Sequence, residues 1–381
     1  MKLYYLLISC LLCFSCKNEV KEISPLPSST SKELKLKYAD GFTVIDNGNY
    51  KTISIKTPWP NAEKEFKYAI ISKENAAKTT FLKNEFDGII LTPIEKIIVT
   101  STTHIPALEL LNVEEKLIGF PGRDYISSEK TRARIENDLV KEVGKNESLN
   151  TELILSLQPN LIVAFGVDGT SKSLNTIKNA NIPIIYNGDW VEKSPLAKAE
   201  WIKFFGVLFN QQKKADSIFN NIERDYLDAK KLANNITSRP SVLSGAMHKD
   251  VWYLPSGTST EAQILKDANV NYLWHATESK GSLALNFETV FTKAQNADIW
   301  ISPSYYPSYK ALSESNSHYA NFDAFKNKNI YTFSNTTGAT GGVTYYELGT
   351  ARPDLVLKDI IKICHPEVLT DYNTTFFKPL K

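Results

Sequence analysis

The sequence predicts an α/β protein: two lobes with mainly parallel sheets, joined by one long bridging helix and preceded by a small β region. Three observations carry this. From Glu95 onward, short apolar runs alternate with segments of helical periodicity, which is the pattern of a helix-covered parallel sheet. The same pattern starts again near Pro240. Between the two lies Pro195 to about Asn235, without proline after its start and with apolar residues at helical spacing. A length of 381 residues also favours two compact units over one.

Residues 1–15 read as a signal peptide. Lys2 gives the positive start, Leu3 to Phe14 an apolar run too short to span a bilayer, and Ser15 a small residue before the cleavage point. Cys16 directly follows and resembles the acylated cysteine of a bacterial lipoprotein, although Cys13 occupies the usual aliphatic position and Leu12 is one step off. A plain cleaved leader is the alternative. Cys10 and Cys13 leave with the leader and Cys16 takes lipid, so only Cys364 stays in the folded body. No intramolecular disulfide then forms, and the fold rests on its core. Cys364 itself reads as a buried helix residue in an apolar run. Residues 16–34 are rich in Lys, Glu, Ser and Pro and read as a flexible, lipid-anchored tether.

Residues 35–95 form the N-terminal β region. Phe42 to Ile45 and Thr52 to Ile55 are strand signals around the turn Asp46-Asn47-Gly48-Asn49, and an antiparallel arrangement is expected. The first lobe, 96–194, offers buried strands at Ile97 to Thr100, Leu117 to Phe120, Leu161 to Phe165 and Ile182 to Tyr186. Its helices are Ile105 to Leu111, Asn150 to Leu157 and Ser171 to Asn179, the second with Asn150 as N-cap. The bridging segment, 195–236, reads as one or two helices ending in the one that crosses between lobes. About twenty helical residues span about 30 Å and hold two lobes at a nearly fixed separation. A helix pair packed inside one domain is the alternative. The second lobe, 237–381, has strand signals at Val242 to Ala246, Val251 to Leu254, Ile299 to Ser302 and Ile330 to Phe333.

An internal echo relates the lobes. Leu149-Asn150-Thr151-Glu152 precedes a helix and the strand Leu161-Ile162-Val163, and Leu285-Asn286-Phe287-Glu288 precedes a helix and Ile299-Trp300-Ile301. Equivalent placement in two α/β units reads as duplication.

From about Glu95 to Pro366 the chain resembles the class III periplasmic binding proteins of iron-chelate and cobalamin uptake. The resemblance rests on Ile97-Ile98-Val99-Thr100-Ser101 with its helix, Leu149 to Glu152 running to Leu157-Gln158-Pro159-Asn160-Leu161-Ile162, the bridging helix, and Arg352-Pro353-Asp354-Leu355 in the tail. It implies a substrate-binding lipoprotein of an ABC importer. Such a protein takes an iron chelate, siderophore or haem, or cobalamin in the interlobe cleft and delivers it to the permease dimer with its ATPase. It also implies a monomer at the periplasmic face of the cell envelope, with no cofactor. One exposed glutamate per lobe docks on the permease in that family, which places the docking carboxylates at Glu152 and Glu288. The local alternative is that each carboxylate simply favours its helix dipole.

A two-lobed receptor meets its ligand on loops at strand ends. In the first lobe these carry Thr102, Thr103, His104, Arg123, Asp124, Tyr125, Phe165, Gly166 and Trp190. In the second they carry Met247, His248, Trp252, Tyr305, Tyr306, Tyr345 and Tyr346, with Arg352 nearby. Aromatics, histidines and an arginine suit a large, flat, partly anionic guest. Each has a plainer reading: His104 as a helix cap, Arg123 paired locally, Arg352 structural. Tyr305 and Tyr306 cannot point the same way in an extended chain, so one of them packs inward.

Other classes fare less well. A net charge of +2 without a basic cluster argues against nucleic acid. Five histidines without ligand-like spacing argue against a naked metal ion, while haem can take a tyrosine or histidine axial ligand. An exported hydrolase would need a serine elbow or an equivalent, and a nucleotide enzyme a phosphate loop; Gly338-Ala339-Thr340-Gly341-Gly342 lacks the lysine of one. A sensor or scaffold without a transporter is the remaining alternative.

Overall fold

The computed structural model describes residues 31–169, 171–279 and 281–381. The signal peptide, Cys16 and most of the tether lie outside the described residues. Two five-stranded sheets form the lobes. In the first, the spatial order is Ile184–Asn187, Leu161–Phe165, Ile97–Val99, Leu117–Phe120 and Lys141–Glu142, all parallel. In the second it is Asn271–Tyr272, Ser241–Ser244, Ile299–Ile301 and Ile330–Thr332, all parallel, closed by an antiparallel edge, Lys378–Pro379. The central strands are buried on both faces, which is why they read as continuous apolar runs. Val251–Pro255 departs from the expected second-lobe sheet. It pairs antiparallel with Ala246–His248 across a tight reversal, and with Ser282–Leu285 after a longer connection that carries the helix Thr260–Asp267.

The echo has a geometric counterpart. The helices Thr151–Leu157 and Phe287–Ala294 are each capped by an asparagine: Asn150 accepts from the Leu153 amide at 3.1 Å and Asn286 from the Thr289 amide at 2.8 Å. Each helix leads to a strand that pairs parallel with the first strand of its lobe's sheet.

The segment between the lobes folds as Pro195–Glu200, Ile202–Leu208 and the 23-residue helix Gln212–Asn234. The long helix buries one stripe, and the stripe changes owner halfway. Ala215, Phe219 and Ile222 belong to the first-lobe core, and Tyr226, Ala229 and Ala233 to the second. At 1.5 Å per residue it measures about 35 Å. A rigid rod seated in two separate cores resists bending, because any flexure would expose apolar surface at one end.

The N-terminal sheet runs Lys32–Glu33, Phe42–Asp46, Tyr50–Ile55, Phe66–Ser72, Gly88–Thr92. Its first four strands are antiparallel as expected, but Gly88–Thr92 joins parallel. Residues 73–87 supply the crossover that a parallel pair requires. This sheet shares the first-lobe core through Phe42, Val44, Ile53, Ile55 and Ile90. Buried carboxylates fasten it: Glu200 accepts from the amides of Lys37, Tyr38 and Ala39, and its charge is balanced by Lys203 at 2.8 Å.

Candidate functional site

Parallel strands of the first lobe end together, so the residues after them gather along one sheet edge, where ligands of open α/β sheets bind. Thr103 and His104 follow Ile97–Val99, Arg123–Tyr125 follow Leu117–Phe120, Phe165 closes its own strand, and Asp189–Val191 follow Ile184–Asn187. The second lobe brings the helices Thr260–Asp267, Thr344–Leu348 and Pro353–Cys364 opposite this edge. Between them lies a cavity of about 200 Å³, with Thr103, Pro195 and Lys198 on one side and Thr260, Glu261, Tyr345, Tyr346 and Thr350 on the other. A water-sized annex of about 20 Å³ shares Thr103, Lys198 and Thr350 and is lined by Asp189. Burial pushes the Asp189 carboxyl up to about 6, although the Thr103 hydroxyl and the Lys198 charge pull the other way.

The lobes also touch directly. The carboxylate of Glu347, from the second lobe, accepts from the main-chain amides of Ser127 at 2.7 Å and Ser128 at 2.9 Å in the first. Thr340 donates its hydroxyl to the Asp124 carbonyl at 2.8 Å. One side of the gap is therefore clamped, and the rest of it is an open mouth.

The structure sorts the candidates from sequence. Tyr345 and Tyr346 line the cavity, Tyr345 stacked on Phe333 with centroids 4.8 Å apart. Tyr305 is 62% exposed and lies 6.3 Å from the Tyr346 ring, while Tyr306 packs against buried Tyr319. Phe165 and Trp190 meet at 5.4 Å on the first-lobe edge, and Tyr125 is exposed there. His248 sits exposed at a hairpin turn and lines neither cavity.

Four more of the candidates line neither cavity. Trp252 is fully buried in the second-lobe core, stacked on Trp300 at 5.4 Å with its indole N–H given to the Ser244 carbonyl. Its strand alternates faces, and this is the inward one. Arg352 is held at the start of the last helix by a two-pronged pair with buried Asp354, at 2.9 and 2.7 Å. His104 is fully buried beside Phe205, its ring nitrogens without a protein partner, and burial drops its pKa to about 3. Arg123 is likewise spent locally, donating to the Val140 carbonyl at 2.8 Å. Lys198, Glu261 and Asp189 escaped sequence analysis. Lys198 fell in the stretch assigned to the bridge, Glu261 lies within the helix Thr260–Asp267 and not directly after a strand, and Asp189 was overshadowed by Trp190.

His104 makes a prediction. Below pH 6.5 the unfolded chain takes a proton that the folded chain refuses, so stability is lost as pH falls from 6.5 toward 3. Between pH 7 and 5 this costs about 2 kcal/mol. His104→Leu is expected to remove that part of the acid sensitivity, as read from urea midpoints at the two pH values; an undiminished acid response would refute it.

Among the described residues no three His, Cys, Asp or Glu side chains converge as a metal centre needs, and no helix is long and apolar enough to cross a membrane. Two mainly parallel α/β lobes on one helical strut, with a cleft between strand ends, define a class III substrate-binding protein of an ABC importer. The chain belongs to the periplasmic binding protein family, whose model matches residues 97–337. This family is a transport component and not a catalyst, which removes the hydrolase alternative. An uncharacterised lipoprotein of Methanocaldococcus jannaschii is 27% identical, over 94% of this chain and 89% of its own. The fold is shared with a possible iron-binding periplasmic protein of Staphylococcus epidermidis, at 18% identity and a TM-score of 0.56, covering 71% of this chain and 99% of that one. It is shared also with a periplasmic haem-binding protein of Vibrio cholerae, at 15% identity and a TM-score of 0.53, covering 69% and 99%.

Proposed function

We propose that this protein captures an iron chelate, a ferric siderophore or haem, or else cobalamin, in the interlobe cleft. It passes the ligand to a permease dimer from a lipid anchor at Cys16 on the periplasmic face of the envelope. The observation that carries this is the interlobe cavity lined by Tyr345 and Tyr346, with Tyr305 beside Tyr346 and the Phe165–Trp190 pair after the first-lobe strands. Flat aromatic faces on both sides suit a bulky conjugated or aryl-bearing guest. A cavity of about 200 Å³ is too small for such a guest entire, since ligand pockets run to about 300–1,000 Å³. The guest therefore lies across the mouth and sends one arm inward, between Lys198 and Glu261. The fold shared with a possible iron-binding protein of Staphylococcus and a haem-binding protein of Vibrio agrees with this class of ligand.

The test is a fluorescence titration of the purified protein with haemin, cyanocobalamin and a panel of ferric siderophores. Trp190 at the mouth is expected to be quenched, saturably and at one guest per protein, by one class only. If none of the panel binds while a small polar solute does, the reading is wrong. A sensor without a transporter would bind equally well, but deleting its gene would leave uptake intact.

A further inference from the structure

The first-lobe wall of the cleft does not stand alone. Its two aromatic loops begin at Phe165-Gly166 and at Gly188, and both rest on the N-terminal sheet, which precedes the stretch matching the family. The contact of the first loop is Trp59, in the connection between Tyr50–Ile55 and Phe66–Ser72. Its ring meets Tyr186 edge-on at 5.1 Å and Phe66 at 5.5 Å. Gly166 and Gly169 lie against the same ring. A Cβ at Gly169 would overlap it, and the φ of +76° there also suits glycine.

The second loop is held at both ends. At its start, a Cβ on Gly188 would overlap the Thr57 carbonyl oxygen, so the chain passes against Thr57 and Pro58 with no room for a side chain. At its end, Glu192 accepts from the amides of Asp40 at 3.2 Å and Gly41 at 2.8 Å and from the Trp201 indole at 2.9 Å. Between these clamps sit Asp189, which lines the annex, and Trp190, whose ring meets Phe165 at a tilt.

We infer that the N-terminal sheet is a built-in support of the ligand site, and that Trp59 is a positioning residue that sets the pose of Phe165, Asp189 and Trp190 without touching the guest. This rests on the cleft being the ligand site. The physical reason is preorganisation: a loop already ordered loses less entropy when a ligand lands on it. Edge-on aromatic contacts of this kind fix orientation as well as burying area.

Trp59→Ala, Trp59→Leu and Trp59→Phe test it in the full-length chain. Amide exchange at residues 188–191 is expected to rise about tenfold or more in the Ala and Leu variants. Exchange in the second-lobe strands Ser241–Ser244 and Ile299–Ile301 stays as in the parent, and the Phe variant restores the loop. Affinity for whichever of haemin, cyanocobalamin or ferric siderophore binds the parent is expected to fall about tenfold with the loop and recover with Phe. Unchanged exchange, or raised exchange with unchanged affinity, overturns the inference. If the parent binds none of these probes, the chelate reading fails on its own, and loop exchange alone decides whether Trp59 supports the wall. Should the Ala variant not fold, the Leu variant, which keeps apolar bulk, carries the comparison.

Discussion

Replacing both Glu152 and Glu288 by lysine is expected to abolish uptake while leaving ligand affinity in the cleft unchanged. Each carboxylate stands exposed in the first turn of a short, asparagine-capped helix. Each helix feeds a strand beside the first strand of its lobe, so the two occupy matching places in their sheets. A receptor with two equivalent charges fits a two-fold permease surface, where complementary charge sets register and encounter rate. A single reversal should cost about tenfold in transport, about 1.4 kcal/mol of docking. The double reversal should cost about a hundredfold or more, because distant sites add. If each glutamate serves only its own helix dipole, the effect is about 0.3–1 kcal/mol of stability apiece and uptake is untouched. Uptake of the bound chelate by cells carrying single and double variants, set beside titrations of the same proteins, separates the two. Full transport by the double variant would end the docking assignment.

What sequence revealed and what it concealed divide along a physical line. Buried parallel strands announce themselves because both faces are apolar, and Leu161–Phe165 and Leu117–Phe120 were legible to the residue. The bridge was legible because Ala215, Phe219, Ile222 and Tyr226 recur at helical spacing within what is a 23-residue helix. Nothing in that stripe says that its two halves enter different cores; that follows only from what packs on it. Side-chain roles were less legible, since a strand-end residue can point into the cleft or the core. Trp252 and Tyr305 stood on equal footing in sequence, yet one is a core ring and the other an exposed one. Arg352 looked available until Asp354, two residues on, proved to be its buried partner. Contacts between distant segments, such as Trp59 with Tyr186 or Glu347 with Ser127, leave no local trace at all.

Glu347 carries the second large prediction, since it is the point where one lobe grips the other. The carboxylate is 3% exposed, and its two oxygens each accept one main-chain amide across the interface. Glu347→Ala orphans both amides and is expected to cost about 3 kcal/mol, as each buried unsatisfied donor costs about 1–3. Glu347→Gln keeps the shape but offers one accepting oxygen where two are needed, so it falls in between. The pH dependence gives a second signature. Burial pushes the carboxyl up to about 7; the Ser127 and Ser128 donors oppose that rise, and the nearby Glu109 adds to it. Above the ordinary carboxyl value near 4.5 the unfolded chain releases this proton first, so the stability it confers is full below that point and is lost as pH rises through 7. Between pH 5 and 8 that loss amounts to about 2–3 kcal/mol. The Gln variant has no proton to lose, so the parent's lead over it should shrink by that amount across the window. Urea midpoints of parent and variant at pH 5 and pH 8 measure it. A gap of constant size would mean that Glu347 holds the lobes together as an ordinary ionised carboxylate.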